Sequence, residues 1–239
     1  MKIDVLTLFP EMYDGFTSVS IVKRSIDYGA IDLQLHNFRE FATDRHQTVD
    51  DKPYGGGKGM VLKCQPIIDC LNSLTDEDAR VLLMSPQGVP YNQKLAEELS
   101  REKHLVMICG HYEGFDERIR DYVDDEISIG DYVLTGGELP SMIIIDSVAR
   151  LMNGVIQTES HEEDSFQNGL LEYPQYTHPY EYDGNKVPDV LLSGHHENIR
   201  KWKLKKSLER TLHKRPDLLE ERNLTEEEKE LLKEILENR

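Results

Sequence analysis

Segments with the pattern of a β-strand alternate with segments that have the pattern of an α-helix along the first part of the chain. Apolar stretches rich in β-branched residues predict strands at residues 3–9, 31–38, 81–84, 105–109 and 126–129. Helices are expected at residues 16–28, 65–74, 92–102, 116–123 and 140–152. Strands that alternate with helices run mostly parallel and are covered on both faces. The sequence therefore predicts an α/β fold with a mostly parallel sheet flanked by helices.

Three glycine-bearing loops each follow one of these strands, at residues 85–88, 110–114 and 130–137. The carboxyl ends of parallel strands meet at one edge of a sheet, where open α/β folds bind ligands. Glycines leave backbone uncovered there, so a small molecule can lie against it. Glu113 either takes up a ligand ammonium group or is simply solvated within an acidic stretch, and the residues leave both interpretations open.

A further glycine-rich loop with Lys58 covers residues 53–60, and it does not have the spacing of a P-loop. Lys52 stands where the first glycine belongs, and Gly59 follows the lysine in place of Ser or Thr. The Gly-x-Gly-x-x-Gly fingerprint of dinucleotide binding is missing here as well, which counts against a nicotinamide oxidoreductase. What is left is a flexible cationic loop that closes over an anionic polymer or makes a wide turn.

Composition limits the partners and the compartment. The chain has 45 Asp+Glu against 28 Lys+Arg, a formal net charge of -17, which argues against sequence-blind binding to nucleic acid or anionic membranes. Its 3 cysteines lack a Cys-x-x-Cys pair, so neither a disulfide framework nor a structural zinc site is supported. The N-terminus has no signal pattern, and no apolar run is long enough to cross a bilayer. We expect a cytoplasmic protein with no membrane partner and no metal site.

A basic segment at residues 195–215 stands out against this acidic background, with eight Lys and Arg and two acids. At helical spacing Lys203, Lys206, Arg210 and Lys214 share one face, and leucines occupy the opposite face. An ordinary solvated amphipathic helix has this pattern too, but the concentrated positive charge favours an RNA-contacting face.

The chain is expected to form two domains. Residues 155–185 contain no Lys or Arg and are interrupted by Gly and Pro, as in a linker. We place the α/β domain at residues 1–160, a flexible interdomain linker at 161–172 and a small helical C-terminal domain at 173–239. The run Thr-Glu-Glu-Glu at 225–228 predicts a capping box for a last, acidic helix.

A set of short motifs extends over nearly the whole length. They are Leu-Phe-Pro-Glu-Met at 8–12, Asp-Arg-His at 44–46, Thr-Val-Asp-Asp at 48–51, Pro-Tyr-Gly-Gly-Gly at 53–57, Ser-Pro-Gln-Gly at 85–88, Cys-Gly-His-Tyr-Glu-Gly at 109–114, the stretch 128–140, Asp-Ser-Phe at 164–166 and Leu-Leu-Ser-Gly at 191–194. With this highly specific set the chain closely resembles the bacterial tRNA guanine-N(1) methyltransferases of the SPOUT class.

The resemblance implies that the three loops form a deep trefoil knot that holds S-adenosylmethionine, the methyl donor, in a bent shape. Pattern alone would have rejected a knot. The residues implied to contact this cofactor are Pro86, Gly110, Tyr112, Glu113, Ile129, Gly130, Asp131, Tyr132, Val133, Leu134, Gly136, Gly137 and Pro140. The resemblance also implies a tRNA substrate, methylated at the guanine of position 37 just 3′ of the anticodon. It further implies an obligate homodimer whose active site takes parts from both chains.

Two catalytic residues are carried over from the family's motifs. Asp164, which precedes Ser-Phe, is implied to be the general base, and Arg150 is implied to bind guanine and stabilise charge on its oxygen. The chemistry needs such groups, because ring nitrogen 1 must lose a proton as it attacks the sulfonium methyl. Taken alone, Asp164 is explained as the cap of a short helix beginning at Ser165, and Arg150 as the favourable end of the preceding helix.

The expected tRNA contacts are cations on both domains. Arg39, Arg45 and Lys58, together with the basic face from Lys203 to Lys214, are expected to contact tRNA phosphates. Lys58 stands where the family often has Pro, which adds a positive charge to its loop. Glu172 stands where Asp is frequent, so no catalytic role is carried onto it.

Two other functions stay open besides the disfavoured oxidoreductase. One is a SPOUT methyltransferase that acts on ribose oxygen or ribosomal RNA, against which the Asp164 and Arg150 pair and the helical tail argue. The other is a non-catalytic RNA-binding protein that uses bound S-adenosylmethionine as a signal. An Asp164 variant that keeps cofactor binding and loses turnover separates the enzyme from the binding protein.

Overall fold

The computed structural model describes residues 1–74, 78–156, 164–220 and 222–237. The chain forms two compact units, Met1–Thr158 and Glu159–Arg239. Residues 161–163 of the expected linker lie outside the described residues.

The strands of the first unit are β1 (Lys2–Thr7), β2 (Asp32–Asn37), β3 (Asp50–Asp51), β4 (Val61–Leu62), β5 (Ala79–Pro90), β6 (His104–Ile108) and β7 (Asp125–Ser128). Its helices are α1 (Asp14–Thr17), α2 (Ser20–Asp27), α3 (Cys64–Leu74), α4 (Gln93–Leu99) and α5 (Glu138–Ala149), with 3-10 turns at Pro10–Tyr13, Phe38–Phe41 and Glu117–Tyr122.

A five-stranded parallel sheet organises the first unit, in the order β2-β1-β6-β5-β7. Along β1, Ile3 and Val5 point into one buried cluster, and Leu6 points into another on the opposite face. The first cluster is completed by residues of α2 and α5, and the second by residues of α3. The prediction of a mostly parallel sheet flanked by helices is confirmed.

Strand β5 departs from the expected strand-then-loop pattern. The sequence predicts a strand that ends at residue 84, whereas β5 resumes and continues to Pro90. Met84 and Val89 both lie opposite Ile127 of β7, so the four residues 85–88 bulge out of the ladder between them. The first of the predicted loops is therefore a bulge within a strand. The strand residues before and after it both pair with β7.

Several helix boundaries also differ from the sequence prediction. The helix expected at 16–28 is split into α1 and α2, and the hydroxyls of Thr17 and Ser18 bond to the carbonyls of Tyr13 and Gly15 near the break. The helix expected at 116–123 is a 3-10 turn, and the Asp116 side chain at its start accepts from the Arg118 N–H at 3.1 Å. No helix among the described residues is long and apolar enough to cross a bilayer.

The second unit is mainly helical. It contains the short strands β8 (Glu181–Tyr182) and β9 (Asn185–Lys186), a 3-10 turn at Asp189–Leu192, and the helices α6 (His196–Lys214), α7 (Asp217–Glu220) and α8 (Glu226–Glu237). The leucine face predicted for α6 is confirmed, because Leu204, Leu208 and Leu212 pack with Leu170 and Ile235.

The capping box predicted at the start of α8 is also confirmed. The Glu228 N–H donates to the Thr225 hydroxyl at 3.2 Å, and the Glu228 carboxylate accepts from the Thr225 N–H at 2.8 Å. Two N–H groups that no helical carbonyl can reach are satisfied in this way.

The packing of α8 gives a test between two adjacent residues. Ile235 is 6% exposed within the apolar cluster, whereas its neighbour Leu236 is 54% exposed. Ile235→Ala should lower the unfolding free energy by about 2–5 kcal/mol because it leaves a cavity, and Leu236→Ala should change it by less than about 0.5 kcal/mol. Urea unfolding followed by the fluorescence of Trp202, the single tryptophan, measures both. Equal losses of unfolding free energy in the two variants would contradict the burial of Ile235 in this core.

Candidate functional site

A cavity of about 450 Å³ lies at the carboxyl edge of β5, β6 and β7. The bulge at 85–88 and the loops at 110–114 and 130–137 contribute most of its wall, as the strand pattern predicts. Every residue that the resemblance implies as a cofactor contact lines this cavity, except Asp131. The structure therefore brings these residues together around one space, and their roles as ligand contacts stay predictions.

The two longer loops are joined to each other by their backbones. The Gly137 N–H donates to the Gly110 carbonyl at 2.9 Å, and His111 and Gly136 form an isolated antiparallel bridge. A Cβ atom at Gly137 would lie 2.7 Å from the Cα atom of Cys109. The absence of a side chain at this position lets the two chain segments touch, so the glycine is needed for the wall itself.

Two other glycines accommodate rings in the same wall. A Cβ atom at Gly110 would overlap the Phe115 ring, and one at Gly136 would overlap the His111 ring. The sequence interpretation assigned these glycines one task, which was to expose backbone to a ligand. The structure adds a second task, because each of them makes room for an aromatic side chain that shapes the cavity.

A buried carboxylate lies directly behind the wall. Glu138, the first residue of α5, is 1% exposed. Its Oε2 is 2.7 Å from Nε2 of His111, and its Oε1 accepts from the Thr7 hydroxyl at 2.6 Å. Sequence reasoning missed this group, since among the acidic residues of this part of the chain it weighed a binding role against solvation for Glu113 alone. A glutamate at the first turn of a helix, directly after two glycines, was the available signal.

A second buried polar group in α5 is the hydroxyl of Ser141, about one helical turn after Glu138. The Tyr13 hydroxyl lies 2.6 Å from Ser141 Oγ and 3.6 Å from Cys109 Sγ. Burial raises the pKa of the Cys109 thiol to about 12, so at neutral pH the thiol stays protonated. Cys109, which is fully buried, therefore supplies no thiolate nucleophile.

Arg120 supplies a cation in the wall, which the sequence interpretation did not single out. Its guanidinium pairs with Glu126 at 2.5 Å and with Glu117, and it donates to Gln87 of the bulge at 3.3 Å. The hydrogen bond that Arg120 donates to the Glu126 carboxylate raises the pKa of Arg120. Arg120 thereby ties the bulge to the 3-10 turn at Glu117–Tyr122 and keeps a charged rim on one side of the cavity.

Glu113 is exposed at the cavity, and its N–H donates to the Met60 carbonyl at 3.0 Å. A Cβ atom at Gly59 would overlap its carboxylate, so the end of the glycine-rich loop packs against it. This position suits either of the two interpretations of Glu113, and ammonium binding stays a prediction.

The two residues implied in catalysis belong to different units. Arg150 follows the last turn of α5, where its N–H donates to the Asp146 carbonyl at 3.2 Å. Asp164 precedes a series of turns in the second unit, and its carbonyl accepts from the Gln167 N–H at 3.2 Å. No short helix begins at Ser165, so the alternative interpretation of Asp164 as a helix cap is wrong.

The cations expected to contact RNA differ in exposure. Arg45, Lys58 and Lys214 are exposed. The others are half-buried and have partners within their own units: Arg39 donates to the Gln47 carbonyl at 3.1 Å, Lys203 lies 4.3 Å from the centre of the Tyr173 ring, Lys206 pairs with Glu209 at 2.6 Å, and Arg210 donates to the Glu172 carbonyl at 2.8 Å. The face of α6 is therefore not uniformly directed to solvent.

Comparison with known proteins gives consistent matches over the chain. The family model described as tRNA (Guanine-1)-methyltransferase TrmD matches residues 1–221. A protein of Brevibacillus brevis named tRNA (guanine-N(1)-)-methyltransferase is 60% identical over 238 residues, which are 98% of each chain. Proteins with the same name from Geobacillus kaustophilus and Dictyoglomus turgidum are 59% and 56% identical, over 98% of this chain and 98% and 96% of their own lengths.

The close contact at Gly137 can be tested against a second glycine. Gly137→Ala should lower the unfolding free energy by about 1–3 kcal/mol, since the added methyl group meets the backbone of Cys109, which cannot rotate aside as a side chain can. At Gly15, in α1, no atom lies within 4 Å of the place that a Cβ atom would take, so Gly15→Ala should be neutral or stabilising by up to about 1 kcal/mol. Thermal unfolding measures both variants, and a neutral Gly137→Ala would contradict the packing of the wall.

Proposed function

The chain belongs to the tRNA (guanine-1)-methyltransferase family, and from this premise we propose that it transfers a methyl group from S-adenosylmethionine to ring nitrogen 1 of a tRNA guanine. The observation that carries the proposal is the cavity at the carboxyl edge of the sheet, whose wall consists of the loops that hold the family's motifs. We further propose that the target is the guanine at position 37, just 3′ of the anticodon, and that the reaction takes place in the cytoplasm, where tRNA is found.

The cavity suits a donor of this kind. Its volume of about 450 Å³ lies within the range of sites for small molecules and cofactors. The glycines Gly110, Gly130 and Gly136 let the polar parts of a nucleoside lie close to the backbone of the wall, while Leu134 and Pro140 offer apolar contacts. The loops that carry these residues are the ones implied to form the trefoil knot, which is part of the proposal.

The methyl transfer needs a base and a cation from the protein. In the proposed step, guanine nitrogen 1 forms a bond to the methyl carbon while the bond from that carbon to sulfur breaks. The nitrogen-bound proton passes to the carboxylate of Asp164. Arg150 binds the guanine and stabilises the negative charge that develops on its oxygen as the proton leaves. S-adenosylhomocysteine and methylated tRNA are the products.

An exposed apolar surface supports the proposal that two copies of the chain associate. Leu139 and Ile143 are one helical turn apart on α5 and are 50% and 45% exposed, and Val133 in the adjoining loop is 86% exposed. Large exposed apolar side chains at neighbouring positions are typical of interaction sites in soluble proteins. We propose that a second copy covers this surface. Because this surface adjoins the loop 130–137, such a dimer would place its interface next to the cavity.

Exposed cations are the proposed contacts to tRNA phosphates. Arg45 and Lys58 in the first unit and Lys214 in the second are exposed, so they can reach a phosphate without breaking a buried contact. The half-buried cations Lys203, Lys206, Arg210 and Arg39 are proposed as secondary contacts, because each must exchange or share its partner within the protein.

The base assignment is tested by Asp164→Asn. This variant should bind S-adenosylmethionine with wild-type affinity and lose about 10²- to 10⁴-fold in turnover, since it can no longer accept the proton. Calorimetry and methyl transfer to a tRNA transcript measure the two quantities. The control is Asp183→Asn, an exposed aspartate at positive φ where Asn is tolerated. Unchanged turnover in Asp164→Asn would refute the assignment.

The proposed tRNA contact is tested by Lys214→Glu. We expect severalfold weaker tRNA binding and a salt dependence whose slope is smaller by about one, because one phosphate contact is lost. Lys233→Glu is the control, an exposed lysine of the acidic helix α8 whose partner is Glu237. Filter binding at several salt concentrations measures both variants. If both variants changed the tRNA affinity and its salt dependence equally, the effect would come from net charge, and the proposed contact at Lys214 would be wrong.

The proposed dimer is tested by Ile143→Lys. A buried lysine without a partner is costly at an interface, so this variant should be a monomer in light scattering at concentrations where the wild type is a dimer. Leu236→Lys, at a residue 54% exposed on α8, should leave the mass unchanged. A dimeric Ile143→Lys would place the interface elsewhere.

A further inference from the structure

A closed ring of contacts connects three segments behind the cavity. The Phe9 N–H donates to the Thr7 hydroxyl at 2.9 Å, this hydroxyl donates to Glu138, and the other oxygen of Glu138 meets His111. The ring closes because the Phe9 side chain packs edge-on against the His111 ring, with centroids 4.7 Å apart. Contacts that close on themselves hold every member in one arrangement, which a single hydrogen bond does not do.

The members of this ring come from three different parts of the fold. Thr7 is the last residue of β1, His111 lies in the loop after β6, and Glu138 begins α5 directly after the loop 130–137. Glu138 and Thr7 are 1% and 0% exposed, and neither lines the cavity, whereas His111 does. An influence of Glu138 or Thr7 on a bound molecule must therefore pass through His111 and the two loops.

We propose that Glu138 is a positioning residue that clamps the loops 110–114 and 130–137 in the arrangement that binds the methyl donor. Thr7 orients the carboxylate, and His111 transmits its position to the wall. The inference rests on the proposed function, because the donor is S-adenosylmethionine in that proposal.

The geometry favours positioning over a packing role. Both carboxylate oxygens are used, one for each neighbouring segment, so the carboxyl group is held from two sides. Gly136 lies where any side chain would overlap the His111 ring, so the loop is shaped to let that ring reach Glu138. The clamp thus fixes the relative position of the two loops whose backbones meet at Gly110 and Gly137.

A matched pair of variants at Thr7 tests the clamp without changing a charge. Thr7→Val keeps the shape and removes the hydroxyl, whereas Thr7→Ser keeps the hydroxyl and removes a methyl group. Calorimetry should show that Thr7→Val and Glu138→Gln each lower the affinity for S-adenosylmethionine by about tenfold or more. Thr7→Ser should bind it with near wild-type affinity. In steady-state assays KM for the donor should rise, while kcat at saturating donor and KM for tRNA stay within about twofold.

Tyr91→Phe is the control for a general loss of stability. The Tyr91 hydroxyl bonds to Ser147 at 2.6 Å on the far part of α5, and neither residue lines the cavity. This variant loses one hydrogen bond of the same helix and should bind the donor as the wild type does. Wild-type donor affinity in both Thr7→Val and Glu138→Gln would overturn the proposal. So would a loss of donor affinity in Tyr91→Phe and Thr7→Ser as large as that in Thr7→Val. If one of the two clamp variants does not fold, the other decides.

Amide exchange without any ligand separates this proposal from the proposed function. In Thr7→Val, residues 110–114 and 130–137 should exchange faster than in Thr7→Ser, while strand β1 and the centre of β6 keep their protection. If the wild type fails to bind S-adenosylmethionine, the proposed function is wrong, but faster exchange in these loops still supports the clamp. Unchanged exchange in both loops refutes it.

Discussion

The parallel pairing of β6 with β1 on one side and β5 on the other is the constraint on which the site depends. Ile108, the last residue of β6, lies opposite Leu6 of β1 and Leu83 of β5. The ends of β1 and β6 and the start of the β5 bulge therefore lie at the same level on one edge of the sheet. The bulge and the loops meet there because the backbone hydrogen bonds fix this register, and the buried alternation of side chains on both faces prevents a slip by one residue.

Much of this arrangement follows from the sequence. Alternation of strand and helix patterns predicts the parallel sheet, and the position of the glycines after the strands predicts one site at its carboxyl edge. The leucine spacing on α6 and the capping box of α8 are local patterns, and both are predicted correctly because they depend on near neighbours alone. The bulge at 85–88 was predicted only as a loop, because the return of β5 to pair with β7 depends on a partner strand about 40 residues away.

The clamp behind the wall was out of reach of sequence reasoning for a physical reason. Thr7 and Glu138 are 131 residues apart, and nothing in the residues between them signals that they meet. The acidic residues around Glu138 give no sign of burial, yet the residue is 1% exposed. The lysine face of α6 shows the same limitation, since helical spacing places Arg210 and Lys203 correctly on the helix but does not show their partners Glu172 and Tyr173.

The central claim is that this cavity serves methyl transfer to a tRNA guanine. Its most direct test is transfer of labelled methyl from S-adenosylmethionine to a tRNA transcript with guanine just 3′ of the anticodon, beside the same transcript with adenine there. We predict label on ring nitrogen 1 of that guanine and none on the adenine transcript. Equal labelling of both transcripts, or donor binding without transfer to either, would contradict the claim.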